Sequence, residues 1–259
     1  MFTPLRIYRP HYTPLDWTLL TFATAIGIVT LGALLQAASG LGGGLIIVPL
    51  LSTMLSTDLV PGPTIFGSLA LSASMTIGGR RHIDFTMTRP ILAGVVIGTI
   101  VAAWIIARVP AESLGLLFGT GILIAVVFSL RAPKFSLSPR GTFAAGGLAG
   151  LLGTSVGIGA PVLALLYQHF PGPVIRATLA FLYFASSIVA LLFLHLAGRF
   201  GVPELISGVY LIPGFVLGYL LAPRLAAFVD RGYARPIVLF VSSASAAFLI
   251  WRSVTQLGG

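Results

Sequence analysis

Two glycine-rich breaks interrupt the longest apolar segments of this chain. The first is QAASGLGGGLIIVP at 36–49, and the second is TSVGIGAPVLA at 154–164. A helix that starts after such a break leaves free backbone N–H groups at the positive end of its dipole, where an anion can bind. Lipid offers no partner to backbone amides, so a broken helix at membrane depth must line a cavity or a site. We therefore expect one substrate site, where the two breaks meet near the middle of the membrane.

The candidate substrate-binding residues lie within or close to these breaks. Glycine lets a ligand approach the backbone closely, and a neighbouring arginine could add charge or simply follow the excess of basic residues in cytoplasmic loops. The competing interpretation is close helix packing, which we favour for the motifs Gly94-x-x-x-Gly98 and Gly214-x-x-x-Gly218. The predicted substrate-binding set is Gln36, Ser39, Gly40, Gly42, Gly43, Gly44, Thr154, Ser155, Gly157, Gly159, Ala160 and Arg176.

Two further groups of polar residues lie in apolar segments that follow the breaks. Ser68, Ser72 and Thr76 recur at every fourth position, and the corresponding segment of the second half contains Tyr183 and the pair 186–187. A polar stripe on a membrane helix is expected to face a cavity rather than lipid. The alternative is that each hydroxyl donates to a carbonyl of its own helix.

No Asp or Glu lies inside an apolar segment, although proton-driven pumps usually place one in the pathway. Two coupling ions are therefore compatible with the sequence. One is H⁺, carried by His169 or His195, and the other is Na⁺, held by unwound backbone carbonyls. Drive by the membrane potential alone is a third option. We expect no cofactor and no metal.

The sequence also contains a motif that is typical of hydrolases. Residues 153–157, GTSVG, fit the nucleophile elbow G-x-S-x-G, and Ser155 could pair with His169 or His195. That motif requires a strand-to-helix turn, whereas the surroundings here predict membrane helices. We therefore expect that the protein is a carrier and not an enzyme. The alternatives to a carrier are an intramembrane serine hydrolase, a passive anion channel and a structural scaffold.

Composition places the chain in the membrane. It is 57% hydrophobic and 8% charged, with a mean hydropathy of +1.03, whereas soluble domains carry about 25% charged residues. The net charge of +9 is better explained by basic cytoplasmic loops than by nucleic acid, since the longest basic run is Arg80-Arg81. The lipid bilayer is thus a partner, and nucleic acid is not. The chain has no cysteine.

The order of apolar segments predicts an internal duplication. A long, a medium and two short segments occur in turn and then recur in the same order, at 17–57, 59–79, 90–107, 113–130, 141–175, 177–198, 205–223 and 236–251. We expect an all-α integral membrane protein, a polytopic helical bundle of two homologous repeats that each open with a glycine-broken or re-entrant helix pair. The predicted parts are an N-terminal segment (1–16), a first repeat (17–130), a basic linker (131–140) and a second repeat (141–259).

Charge predicts how the repeats are oriented. If each long segment returns to the side of the membrane on which it started, each half of the chain crosses the membrane an odd number of times. The second repeat then starts on the opposite side from the first and is inverted. With the N-terminus outside, ten basic residues lie in cytoplasmic loops and five lie outside, as expected for a multi-pass protein of the bacterial inner membrane. The sequence does not decide whether the protein forms a homodimer.

The sequence resembles the sulfite exporter TauE/SafE family, also described as the four-toluene-sulfonate uptake permease group. The similarity covers about residues 17–255 and rests on GLGGG followed by IIVP in the first half, and on GTSVGIGAP and IRATLA in the second. It implies a transporter for a small sulfur-containing anion, either sulfite or an organosulfonate such as sulfoacetate. The chain departs from the family pattern at Ala160-Pro161, where another glycine is expected.

Overall fold

The computed structural model describes residues 17–40, 43–54, 60–110, 113–131, 138–156, 159–167, 170–230 and 234–257. Every regular element in these ranges is helical, which confirms the predicted all-α class. The predicted segment 1–16 and most of the linker lie outside the described residues, and helices extend into the linker range from both ends. The helices are α1 (Leu19–Ser39), α2 (Gly44–Met54), α3 (Pro61–Gly79), α4 (Phe85–Arg108), α5 (Leu114–Arg131), α6 (Pro139–Val156), α7 (Ala160–Tyr167), α8 (Gly172–Leu196), α9 (Val202–Asp230) and α10 (Ala234–Leu257).

Several of these helices are suited to cross a bilayer. Within the described ranges, four have the length and apolar composition that a crossing requires, namely Leu19–Ser39, Thr88–Ile106, Gly172–Leu196 and Val202–Arg224. Large apolar side chains such as Leu192, Phe240 and Trp251 are exposed on the outside of the bundle. In water such a surface would be costly, but in lipid it is the expected outer face. The chain is a multi-pass membrane protein.

The first glycine break separates α1 from α2. Gly40 ends α1 in the left-handed conformation at φ 75°, and its N–H donates to the Gln36 carbonyl. Glycine adopts this conformation without steric cost, which explains why the helix ends there. The 11 residues of α2 span only about 16 Å at 1.5 Å per residue. Because the hydrocarbon core is about 30 Å thick, α2 is too short to cross it.

The second break repeats this arrangement. Helix α6 ends at Val156, and α7 begins at Ala160 and has 8 residues, or about 12 Å. Both breaks therefore lead into helices that are too short to cross the membrane.

Contacts between helix ends define two faces of the bundle. Face A contains Gly62, which packs against Phe200, and Val109, whose carbonyl accepts from Arg199. Face B contains Gly79, which lies against Ala177, and Asp84, whose N–H donates to Thr178. Helix α3 therefore runs from face A to face B, and α4 returns. The direction of α8 is opposite to that of α3.

Helix packing is reciprocal between the two halves. Helix α1 lies along α9 in the same direction, because Gly214 meets Val29 and Gly218 meets Ala33. Helix α4 lies along α6 in the same direction. Helices α3 and α8 pair with each other, as do α5 and α10, in opposite directions. Exchanging the first five helices for the last five leaves these pairings unchanged.

The small-residue motifs outside the breaks have a packing role, as predicted. A Cβ atom built on Gly94 would lie 2.1 Å from the Phe143 carbonyl oxygen, and one on Gly98 would lie 2.0 Å from that of Gly147. A Cβ on Gly214 would lie 2.9 Å from a Val29 side-chain carbon. Only glycine permits the backbones of these helices to approach so closely.

Candidate functional site

The two breaks open into one cavity between the halves of the bundle. Its volume is about 90 Å³, several times the roughly 10–15 Å³ that one water requires. Gly44, at the start of α2, and Gly159, directly before α7, both line it. Two helix N-termini thus border the same space. The polar side chains in the lining are Gln36, Thr64, Ser68, Thr154, Tyr183, Ser186 and Ser187.

Gln36 connects the first break to the cavity wall. Its Oε1 accepts from the Gly43 N–H at 3.1 Å, and its Nε2 donates to Ser68 Oγ at 3.3 Å. The side chain is almost fully buried. The amide therefore caps a backbone N–H just before α2 and at the same time ties α1 to α3. An anion at this helix N-terminus would lie beside the Gln36 amide.

Tyr183 joins the same break to the second half. Its hydroxyl donates to the Gly40 carbonyl oxygen at 3.1 Å, which satisfies one of the carbonyls that the end of α1 leaves unpaired. Tyr183 lies on α8 and also lines the cavity. Movement of the first break relative to α8 would break this hydrogen bond.

The second break is tied to α4. Thr154 Oγ1 donates to Thr99 Oγ1 at 3.1 Å, and both side chains are buried. A Cβ built on Gly159 would lie 2.3 Å from the Ala149 carbonyl oxygen, so glycine allows the chain to fold back against α6 before α7 begins. This close approach places Gly159 at the cavity.

The structure brings four of the predicted site residues together and places others outside the lining. Gln36, Gly44, Thr154 and Gly159 line the cavity. Gly42 and Gly157 lie outside the described residues, and Ala160 begins α7. The described predicted residues outside the lining are Ser39, Gly40, Gly43, Ser155 and Arg176.

Three of those residues have another structural role. Ser39 and Ser155 each donate to the carbonyl four residues earlier in the same helix. A Cβ built on Gly43 would lie 2.4 Å from the Gly32 carbonyl oxygen. Substituting Gly43 would therefore disturb the packing of α2 on α1 as well as any binding, and it is a poor test of the site.

Arg176 lies beside the first break without facing the cavity. Its Cα is 3.3 Å from the position of a Cβ built on Gly40, and its Nη1 is 3.2 Å from the corresponding position on Gly172. The side chain thus folds back over the start of α8, on face B. It can raise the positive potential near the break, but it does not supply a wall of the cavity.

Some residues of the two polar stripes face the cavity, and others donate to carbonyls of their own helix. Ser68, Tyr183 and the pair 186–187 line the cavity, whereas Ser72 and Thr76 donate to carbonyls of their own helix. The sequence interpretation did not include Thr64, which also lines the cavity. Thr64 lies four residues before Ser68, so the spacing of the stripe could have indicated it. The interpretation also missed Thr99, which no spacing pattern distinguishes.

The described lining of the cavity is polar but carries no formal charge. Among the described residues that line the cavity, none is Lys, Arg, Asp or Glu. Positive potential there comes from the N-termini of α2 and α7 and from oriented hydroxyl and amide groups.

The geometry gives no support to a serine hydrolase. The Ser155 hydroxyl donates to the Leu151 carbonyl at 2.6 Å. His195 lies at the face A end of α8, where Nδ1 contacts the Phe200 carbonyl oxygen at 2.9 Å. His169 lies outside the described residues. No Ser155–His pair is present in the part of the chain that the structure describes.

Comparison with known proteins identifies the family. A family model, Sulfite exporter TauE/SafE, matches residues 24–249, which is most of the chain. No curated protein and no solved structure matches the chain. The match agrees with the resemblance of the glycine motifs and with the membrane architecture. The chain therefore belongs to the sulfite exporter TauE/SafE family of membrane transporters.

Proposed function

We propose that this chain is a secondary transporter that moves a small sulfur-containing anion, sulfite or an organosulfonate, across the cytoplasmic membrane. The observation on which this rests is the cavity bordered by two helix N-termini, one from each half of the chain. The family assignment narrows the anion to a sulfur compound. In the proposed site, Gln36 Nε2 and the Ser68 hydroxyl donate hydrogen bonds to the anion's oxygens. The positive ends of the α2 and α7 helix dipoles stabilise its charge.

The proposed mechanism is alternating access between two inverted repeats. Reciprocal packing of the halves supports this symmetry, because α1 lies along α9 as α6 lies along α4. The cavity lies between the halves, so a rocking motion of one half against the other would open it to each face in turn. The hydrogen bond from Tyr183 to Gly40 crosses this boundary and would have to break and reform in each cycle.

Face B is proposed to be cytoplasmic. Among the described residues, its exposed arginines are more numerous than the arginines of face A, which are Arg108, Arg199 and Arg252. The positive-inside rule assigns the more basic face to the cytoplasm. The exposed arginines of face B are Arg80, Arg81, Arg89, Arg131, Arg140 and Arg224.

Cysteine labelling tests this orientation directly, because the chain has no cysteine of its own. We expect Val202→Cys, on face A, to react with a membrane-impermeant maleimide in intact cells. Arg81→Cys, on face B, should react only after the membrane is permeabilised. Both positions are exposed. The opposite pattern would invert the proposed topology.

A serine pair on α3 tests the site. Ser68 lines the cavity, whereas Ser74 is exposed on the same helix and donates to the Ala70 carbonyl. We expect Ser68→Ala to lower sulfite uptake into proteoliposomes about tenfold, because a hydrogen bond to a charged group contributes about 1.5–3 kcal/mol. Ser74→Ala should transport normally. Equal transport by both variants would remove Ser68 from the proposed anion contacts.

The same assay separates the alternatives. A carrier gives uptake that saturates with sulfite concentration and is accelerated by unlabelled sulfite on the opposite side. A passive channel gives unsaturable flux without this exchange. Ser155→Ala would abolish the activity of a serine hydrolase, but a carrier should retain its transport rate because that hydroxyl is bonded within α6.

A further inference from the structure

We propose that the cavity selects small organic sulfonates and related anions that carry a single negative charge, and that it discriminates against dianions and aromatic sulfonates. This inference rests on the proposed transport function and specifies its substrate class. Methanesulfonate and hydrogen sulfite belong to the favoured class. Sulfate and sulfoacetate, which carry two charges, do not.

The charge limit follows from what the cavity wall contains. Among the described lining residues there is no Lys or Arg, and Arg176 is folded over Gly172 at face B. Each helix N-terminus supplies roughly half of an elementary positive charge, so α2 and α7 together offset about one negative charge. A dianion would bring a second charge into a low-dielectric interior without compensation, which is strongly unfavourable.

The size limit follows from the cavity volume. The cavity measures about 90 Å³, whereas a cavity of about 150 Å³ is known to hold benzene in another protein. An aromatic ring bearing a sulfonate group requires more space than benzene. A sulfonate with a methyl or similarly short substituent has room, with Ile47, Val48 and Leu182 as the apolar wall for its carbon.

Ser187 adds a hydrogen-bond donor to the wall of the cavity. Its side chain is only 7% exposed and lines the cavity. Within the described ranges its hydroxyl has no hydrogen-bond partner. The fully buried side-chain oxygens without a partner in the described part of the chain are those of Ser52 and Tyr167. The Ser187 hydroxyl is not one of them, so it is accessible from the cavity and can donate to a sulfonate oxygen. Ser187 is therefore assigned as a binding residue in addition to those proposed from the sequence.

The experiment varies charge and size separately. Binding of three probes to the purified full-length chain is titrated by calorimetry: methanesulfonate, sulfate and benzenesulfonate. Methanesulfonate and sulfate are similar in size and differ in charge, whereas methanesulfonate and benzenesulfonate share their charge and differ in size. We expect methanesulfonate to bind at least about 100-fold more tightly than either of the others. Ser187→Ala should weaken methanesulfonate binding about tenfold, and Ser74→Ala should not change it.

The outcomes separate this inference from the transport function itself. Sulfate binding as tight as methanesulfonate binding would overturn the charge limit, and equally tight benzenesulfonate binding would overturn the size limit. Either result leaves the proposed transport of sulfur anions intact. Unchanged affinity in Ser187→Ala would remove that residue from the site. If none of the probes binds and sulfite is not transported, the proposed function itself fails.

Discussion

Replacement of Gln36 by Glu should abolish anion transport while leaving the protein folded. Glutamate has nearly the shape of glutamine, and its carboxylate can still accept from the Gly43 N–H, which Gln36 Oε1 accepts at 3.1 Å. The N-terminus of α2 and this N–H stabilise a negative charge at this position. The fixed negative charge would cancel the positive potential of α2 and repel the substrate. We expect transport of sulfite in proteoliposomes to fall at least about 100-fold, since like charges in a buried site cost several kcal/mol.

A neutral variant at the same position isolates the charge. Gln36→Met keeps the length of the side chain and loses both hydrogen bonds, to Gly43 and to Ser68. We expect it to transport more slowly than the wild type but well above Gln36→Glu. Circular dichroism and size-exclusion profiles of both variants establish that they are folded. Wild-type transport by a folded Gln36→Glu protein would place the anion elsewhere.

Replacement of Gly98 by Val should prevent the bundle from forming its native packing. A Cβ at this position would lie 2.0 Å from the Gly147 carbonyl oxygen and 2.8 Å from the Leu151 nitrogen. Both are backbone atoms, so no side-chain rotation relieves the contact, and α4 must move away from α6. Overpacking a core costs about 1–3 kcal/mol even where side chains can adjust, and we expect a loss of at least about 3 kcal/mol here.

Gly27 offers a matched control in α1. A Cβ built on it has no atom within 4 Å, so Gly27→Val should change stability by less than about 1 kcal/mol. Thermal unfolding in detergent, followed by the loss of the monodisperse size-exclusion peak, compares the two variants. Equal stability would mean that α4 and α6 are not in contact in the membrane. Because α6 leads into the second break, any Gly98→Val protein that does fold should also bind anions poorly.

The sequence predicted the elements of the fold well because local chemistry determines them. Long uncharged segments must be helical in lipid, since only a helix satisfies its own backbone hydrogen bonds. Glycine at position 40 ends α1 in the left-handed conformation, which glycine adopts freely. The packing role of Gly94 and Gly98 also followed from the sequence, because spacing by four places both on one helix face.

The membership of the site was only partly predictable, and neighbouring residues show why. Thr154 lines the cavity and contacts Thr99, whereas Ser155, one position later, bonds within its own helix. Adjacent helix positions point in directions that differ by about 100°. Which direction faces the cavity depends on where α4 lies, and no local pattern specifies that. In the same way, Gly43 packs against Gly32, whereas its neighbour Gly44 lines the cavity.

By itself, the sequence determined that this is a helical membrane protein, where its two breaks lie and to which family it belongs. These features depend on composition and local spacing. Tertiary structure alone decided that both breaks open into one cavity, that Gln36 and Tyr183 hold the first break in place, and that no charged side chain of the described lining faces the cavity. The physical reason is that these relations join helices distant in the chain, and their geometry is set by how closely the glycine faces allow those helices to pack.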